Sequence, residues 1–257
     1  MERSRLNMKA IILAAGRGSR MKDKTKILPK CLTELWGKTL LEWQIKAICK
    51  AGIKEIAVIT GYHAEEITRR FPELTYFHNP SWMSTNMVST LFEADKWLST
   101  AECLVSYADI LYTSEAVFAL ASEQAEISLT YYTRFLEFWE SRFENPLDDI
   151  ETFKIDDNGM LTEIGQKAKR LDEIEGQYMG ILKFRPAGWT RVKTEIEKGM
   201  PKPLAKMDMT GLLNCLVGRG LNIKGVPYKG LWLEVDSQDD VNLYKSWDEK
   251  QYKGILD

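Results

Sequence analysis

Two glycines and two arginines stand together in "LAAGRGSRM", residues 13–21, directly after an apolar run. Gly16 and Gly18 let a backbone turn tightly and expose N–H groups to an anion. Arg17 and Arg20 add charge, and a guanidinium fork suits phosphate oxygens. Leu13, Ala14, Ala15, Gly16, Arg17, Gly18 and Ser19 are therefore the candidate polyphosphate loop. Two familiar phosphate loops do not fit: G-x-x-x-x-G-K-[ST] is absent, and G-x-G-x-x-G fails because Met21 stands where its third glycine belongs. Two carboxylates, Asp109 in "VSYADILY" and Asp236 in "WLEVDS", stand at or near strand ends. Magnesium prefers one or two carboxylates together with phosphate oxygens and water. The chemistry such a set could do is transfer at a phosphate, where a divalent cation and fixed cationic side chains offset the repulsion between anions.

These residues need strands to carry them. "KAIILAAG" (9–16) is a β-branched and apolar run ended by glycine, as in a strand covered on both faces. "KTLLEWQIKAICKAG" (38–52) reads as a helix, with Leu41, Ile45, Ile48 and Cys49 on one face and Gly52 as its stop. "KEIAVITGY" (54–62), "LTYFHN" (74–79) and "ECLVSYADI" (102–110) read as strands, and "AEEITRRF" and "NMVSTLFEADKWL" (86–98) as helices. This alternation implies right-handed crossovers and a mainly parallel sheet, whose ligands bind beyond the carboxyl ends of the strands. After residue 125 the rhythm changes. "ISLTYYT" (127–133) and "QYMGILKF" (177–184) are strands, and Asp157-Asn158-Gly159 marks a hairpin within "TFKIDDNGMLTEI". Helices follow near 187–198 and 208–219, "LWLEVDS" (231–237) is expected to close the sheet region, and a last helix begins near Gln238. The expected fold is a single α/β, Rossmann-like domain over 1–257. It has a mainly parallel mixed central sheet flanked by helices and an added antiparallel β-hairpin region. A nucleotide-binding half spans 8–125 and an acceptor-binding half 126–257.

Composition bounds the partners. The 35 basic and 37 acidic residues nearly balance, which argues against a general nucleic-acid or membrane-surface binder. "MERSRLN" leads into no apolar run long enough for a signal peptide, and no stretch approaches the ~20 apolar residues of a membrane span. Cys31, Cys49, Cys103 and Cys215 show no C-x-x-C spacing, so reduced, buried thiols and a cytoplasmic location are expected.

The full string "LAAG-x-G-[ST]-R-[ML]", followed by Pro29-Lys30, resembles the signature of nucleotidyltransferases that activate phosphorylated small molecules with a nucleoside triphosphate. The resemblance implies Arg20 and Lys30 as catalytic cations, with Lys30 on the α-phosphate. It implies Asp109 and Asp236 as Mg2+ ligands, and Ala108 beside the nucleotide. Removing Lys30 or Arg20 is expected to cost roughly a hundredfold in turnover and little stability. Gly61 and Tyr62 fall where family members approach the base. "STNMVSTL" (84–91) resembles the N-M-x-x-[ST]-L segment of cytidylyltransferases, which implies CTP and a base contact from Asn86. A helix cap at Thr85 or Asn86 is an equally good reading, and both can hold together.

The first half resembles bacterial phosphocholine cytidylyltransferases. The second half is more similar to CTP:phosphoglutamine cytidylyltransferases, on "RFENPLDDIETFKI", "IGQKAKRLDEIEGQYMGILKF" and "LEVDSQDD". That likeness implies an acceptor pocket drawn from Trp139, Arg142, Lys167, Glu175, Gln177, Tyr178 and Trp232, with Asp148, Asp149, Glu151 and Lys169 nearby in sequence. Carboxylates would take an amino-acid ammonium and lysines its phosphate. Trp139, Tyr178 and Trp232 would alternatively cage a quaternary ammonium, and a charged hairpin is also often just a solvated face. The likeness favours L-glutamine phosphate as acceptor, which implies CDP-L-glutamine and pyrophosphate as products for capsule modification, and phosphocholine and aminoethylphosphonate stay open as alternatives. A sugar-1-phosphate enzyme is disfavoured because E-x-x-x-N-x-G is broken around Glu175–Gly180. A non-catalytic sensor on the same fold is disfavoured because Arg20, Lys30, Asp109 and Asp236 are all present. The expected partners are CTP, a phosphorylated small molecule and a second copy of the chain in a homodimer, without nucleic acid or membrane.

Overall fold

The computed structural model describes residues 7–18, 21 and 28–256. Ser19 and Arg20 lie outside the described residues. The first half runs β1 (Lys9–Ala14), β2 (Glu34–Leu35), β3 (Lys38–Thr39), α1 (Leu40–Lys50), β4 (Glu55–Thr60), α2 (Ala64–Arg70), β5 (Thr75–His78), α3 (Met87–Phe92), α4 (Asp95–Leu98), β6 (Cys103–Tyr107), β7 (Ile110–Tyr112) and α5 (Ser114–Ser122). The second runs β8 (Ile127–Tyr132), α6 (Phe135–Arg142), β9 (Glu151–Ile155), β10 (Leu161–Lys167), β11 (Gln177–Phe184), α7 (Pro186–Glu197), α8 (Met209–Gly218), β12 (Lys224–Tyr228), β13 (Trp232–Glu234), α9 (Gln238–Lys245) and α10 (Glu249–Leu256).

The main sheet has the order β12-β8-β11-β6-β1-β4-β5. Its β4, β1 and β6 pair in parallel, β5 joins β4 in parallel, and β11 runs antiparallel to both β6 and β8. Successive residues of a strand face opposite sides of its sheet. Accordingly Ala10, Ile12 and Ala14 of β1 pack into one hydrophobic layer, and Ile11 and Leu13 into the other. Both faces are covered, which is why β1 carries no polar alternation. The hairpin is as expected: β9 pairs antiparallel with β10 around Gly159, whose φ of +70° suits glycine.

Several elements differ from expectation. The 86–98 helix breaks into α3 and α4 at Glu93-Ala94. A capping box at Thr39 and Glu42 starts α1 at Leu40, so Gln44, Ala47 and Ile48 turn inward. Cys49 is exposed rather than buried, whereas burial pushes the Cys31 and Cys103 thiols up to about 12. One edge of the main sheet is β12, "KGVPY", whose Pro227 is tolerated at an edge. "LWLEVDS" does not close that sheet. Its core, β13, instead pairs with β7 in a separate two-stranded ribbon. The expected 102–110 strand correspondingly ends at Tyr107 and resumes at Ile110, on the ribbon side.

Candidate active site

The ribbon explains how distant aspartates meet. Glu234 pairs with Ile110, and the Val235 N–H donates to the Asp109 carbonyl at 2.9 Å, so Asp109 and Asp236 emerge side by side. Buried polar groups hold this corner in place. The Gln44 side chain donates to the Ile110 carbonyl at 2.6 Å, and the Tyr112 hydroxyl donates to Ser106 Oγ at 3.0 Å.

Lys30 closes the constellation. It opens a 3-10 turn after Pro29 and is only 8% exposed. Its Nζ donates to Asp109 Oδ2 at 2.7 Å and to Asp236 Oδ1 at 2.8 Å. Burial works against the ammonium charge, but Asp109 and Asp236 outweigh it, and the Lys30 pKa stands above its ordinary value. Gly18 makes room for the stem. A Cβ on Gly18 would lie 2.7 Å from Lys30 Cβ, and φ at Gly18 is +68°. The polyphosphate loop and the lysine are thus fitted to one another. At Gly16 an added Cβ would meet nothing within 4 Å among the described residues, which suits the approach of a ligand there.

Two cavities meet at this triad. The first, about 290 Å³, is lined by Leu13, Ala14, Ala15, Gly16, Gly18, Lys30, Asn86, Ala108 and Asp109, together with Pro29, Cys31, Trp82, Thr85, Met87 and Thr90. It therefore brings together most of the expected nucleotide residues. Gly61 and Tyr62 do not line it but stand behind Trp82. A Cβ on Gly61 would lie 2.6 Å from Trp82 Cβ, and the Tyr62 ring meets the Trp82 ring edge-on at 5.1 Å. Arg17 stays at the mouth, its guanidinium 5.8 Å from the Tyr62 ring centroid. Trp82 was not legible as a site residue in the sequence. Nor was Asn79, which is buried and donates to Thr85 and Thr90 at 3.0 Å each, fixing the wall. Asn86 caps α3, accepting from the Met87 N–H at 2.8 Å, and it also lines the cavity.

The second cavity, about 320 Å³, shares Asn86 and Met87 with the first and reaches Asp236. It gathers Trp139, Gln177 and Tyr178 from the expected acceptor set, with Asp149, Glu151, Asp208 and Glu234. Trp139 Nε1 donates to Asp149 Oδ2 at 3.1 Å, and Gln177 Nε2 donates to the Glu151 carbonyl at 2.5 Å. Glu151 is exposed and faces the cavity. Partial desolvation of its carboxyl, then Asp208, raise its pKa against a hydrogen bond from Thr210, and Asp149 adds to the rise. Burial and the adjacent Asp236 likewise push Glu234 up, against the pull of Arg142.

The other expected acceptor residues are elsewhere. Trp232 is 2% exposed, stacks on Trp139 at 5.9 Å and donates to the Met179 carbonyl at 3.0 Å, so it is core and not cage. Lys167 and Lys169 are exposed and do not line the cavity, nor does Asp148. Glu175 points to the hairpin, accepting from the Ile155 N–H at 2.7 Å. The Arg142 side chain is 1% exposed and sits behind Asp236, bound to carboxylates.

A divalent cation fits this corner. Asp109 Oδ1 is buried without a hydrogen-bond partner among the described residues. No three His, Cys, Asp or Glu side chains gather to hold a metal among the described residues. Two carboxylates completed by phosphate oxygens are the arrangement magnesium takes. Among the described residues no helix is long and apolar enough to cross a membrane.

Comparison with known proteins agrees with this geometry. Residues 10–138 match the MobA-like NTP transferase domain. The chain is 35% identical to the CTP:phosphoglutamine cytidylyltransferase of Campylobacter jejuni over 250 residues, covering 92% of this chain and 98% of that one. It is 29% identical to the 2-aminoethylphosphonate cytidylyltransferase of Lancefieldella rimae over 61% of this chain and 60% of that one. The solved CTP:phosphocholine cytidylyltransferase of Streptococcus pneumoniae shares the fold at a TM-score of 0.70 and 18% identity, over 93% of this chain and 98% of that one. With a family model that spans half of the chain and a relative 35% identical over 92% of it, the chain belongs to the MobA-like NTP transferase family.

Proposed function

We propose that the protein transfers CMP from CTP to a phosphorylated small acceptor carrying a cationic group, with L-glutamine phosphate favoured. One observation carries the reading: the Lys30 ammonium stands between Asp109 and Asp236 where the two cavities meet. CTP occupies the first cavity, its triphosphate along residues 15–18, and the acceptor occupies the second. An acceptor phosphate oxygen attacks the α-phosphorus, the new O–P bond forms in line, and the bond to the β-phosphate oxygen breaks to release pyrophosphate. The attacking oxygen is already anionic, so no general base is required. Lys30 offsets the charge that gathers on the α-phosphate, and preorganised donors of this kind carry much of phosphoryl-transfer catalysis. Asp109 and Asp236 would hold Mg2+, which neutralises phosphate charge when bound. The product would be CDP-L-glutamine, an activated intermediate for capsular surface-polymer modification.

Two observations support the acceptor class. The second cavity presents Asp149, Glu151 and Asp208, and its lining includes no lysine or arginine among the described residues. The full-length relative acts, by its name, on phosphoglutamine. The missing basic residue favours a second reading, an amino-alcohol phosphate or phosphonate such as phosphocholine or 2-aminoethylphosphonate. These carry no carboxylate to be matched.

The test is pyrophosphate release across four nucleotides and a panel of acceptors. CTP with L-glutamine phosphate, followed by phosphocholine, is expected to exceed any sugar-1-phosphate by at least about tenfold in kcat/KM, about 1.4 kcal/mol of discrimination. Glucose-1-phosphate turning over equally well would remove the acceptor class and leave the nucleotide site standing. Glu151→Gln should lower kcat/KM for the cationic acceptor and spare the KM for CTP. Because Glu151 takes up a proton at higher pH than an ordinary glutamate, kcat/KM should fall on acidification earlier than a free carboxylate would dictate. That limb should flatten in the variant.

Gly18→Ala tests the fit between loop and lysine. Its Cβ would displace Lys30 and adopt an unfavourable φ. Turnover should fall roughly tenfold to a hundredfold through misplacement of the ammonium, with a stability loss of about 1 kcal/mol or more by thermal unfolding. Normal turnover in this variant would show that Lys30 does not depend on the loop.

A further inference from the structure

We propose that Arg142 is a positioning residue that holds Asp236 in its metal-binding orientation, an inference that rests on the cytidylyltransferase reading above. The side chain leaves the last residue of α6 and is 1% exposed. One planar fork hydrogen-bonds two carboxylates and closes an ion pair with a third. Nε donates to Asp240 Oδ1 at 2.9 Å, one terminal nitrogen donates to Glu234 Oε2 at 3.1 Å, and the other lies 3.5 Å from Asp236 Oδ2. The opposite oxygen of Asp236, Oδ1, is the one that receives Lys30. The guanidinium therefore steadies the back of the carboxylate whose front faces the reacting phosphates.

A second route runs through Asp240. Its Oδ2 accepts from the backbone N–H of Asp236 at 2.9 Å, from that of Ser237 at 2.8 Å and from Ser237 Oγ at 2.9 Å. By gripping the other oxygen of Asp240, Arg142 fixes the backbone of Asp236 as well as its side chain. Phe138, Trp139 and Phe143 surround the guanidinium, with ring centroids 5.2–5.7 Å away, and limit its movement. Lysine offers one flexible ammonium and cannot reproduce a fork that spans three acceptors. The same helix also carries Trp139, which orients Asp149 of the second cavity. Arg142 thus ties the acceptor wall to the metal corner without lining either cavity.

A purely structural clamp would lower stability and leave metal affinity alone, so metal binding is the deciding readout. Mn2+ binding is followed by the loss of the free-ion paramagnetic resonance signal beyond that caused by the same CTP without protein, with no acceptor present. Arg142→Gln is expected to weaken Mn2+ binding by roughly tenfold or more, the range seen when groups that orient a metal ligand are removed. Asp240→Asn should shift it in the same direction by less. Lys183→Met is the control for destabilisation. It breaks the buried ion pair of Lys183 with Glu102 (2.9 Å) near the start of β6, away from the site, and should leave Mn2+ binding unchanged. The metal concentration for half-maximal turnover should follow the same order. A folded Arg142→Gln protein that binds Mn2+ within about twofold of the native one would overturn the proposal. If Arg142→Gln does not fold, Asp240→Asn is judged by that criterion. Failure of the underlying enzymatic reading looks different: the native protein itself would bind no Mn2+ in the presence of CTP.

Discussion

Replacing Lys30 by alanine or by methionine is expected to lower turnover at least about a hundredfold, equivalent to about 2.7 kcal/mol of transition-state stabilisation. The two variants separate charge from packing. Methionine keeps a stem against Gly18, whereas alanine also vacates the space beside the loop. Both should fail alike in steady-state kinetics if the ammonium is what matters. Stability is where the structure changes the expectation. A solvated lysine could be removed without loss, but Lys30 is buried between two carboxylates. Deleting it leaves Asp109 and Asp236 facing each other, and breaking a buried pair can cost ~3 kcal/mol or more. Thermal unfolding should therefore show a loss in both variants, partly recovered by added divalent cation. Turnover near that of the native protein in either variant would remove Lys30 from the chemistry.

Asp109→Asn and Asp236→Asn should each raise the metal requirement steeply and lower kcat by about a hundredfold or more, since an amide supplies no charge to a cation. The structure predicts unequal side effects. The Asp109 carboxylate pairs with Lys30 through Oδ2 alone, and Oδ1 has no hydrogen-bond partner among the described residues, so its replacement should cost the smaller loss of stability. Asp236 also faces Arg142, so Asp236→Asn should lose more stability. Metal titrations of activity with parallel unfolding curves decide this. An unchanged requirement in both variants would dismiss the assignment.

The candidate residues stood out in the sequence because their types and strand-end positions are local signals. Their convergence was not: Lys30 meets partners 79 and 206 residues away, through a ribbon that periodicity alone does not announce. "LWLEVDS" has the apolar content of a strand in the main sheet, and only pairing with β7 shows that it turns aside. One true edge strand, β12, was hidden by Gly225 and Pro227, which count against a strand except at an edge. On the acceptor side, charge and aromaticity marked residues without saying which way they point. Trp139 lines the cavity while Trp232 stacks behind it, and Arg142 serves Asp236 instead of a ligand. Asn79 and Gln44 position the site from within the core, and nothing local distinguishes such residues from ordinary polar ones.

The most direct test follows phosphorus by nuclear magnetic resonance in a mixture of protein, CTP, Mg2+ and L-glutamine phosphate, with phosphocholine and glucose-1-phosphate run alongside. The CTP resonances are expected to give way to free pyrophosphate and a coupled pair from a new phosphoanhydride, in equal amounts. In Lys30→Met this conversion should be at least about a hundredfold slower. Release of orthophosphate without the coupled pair, or CTP left intact with every acceptor, would contradict the proposed transfer.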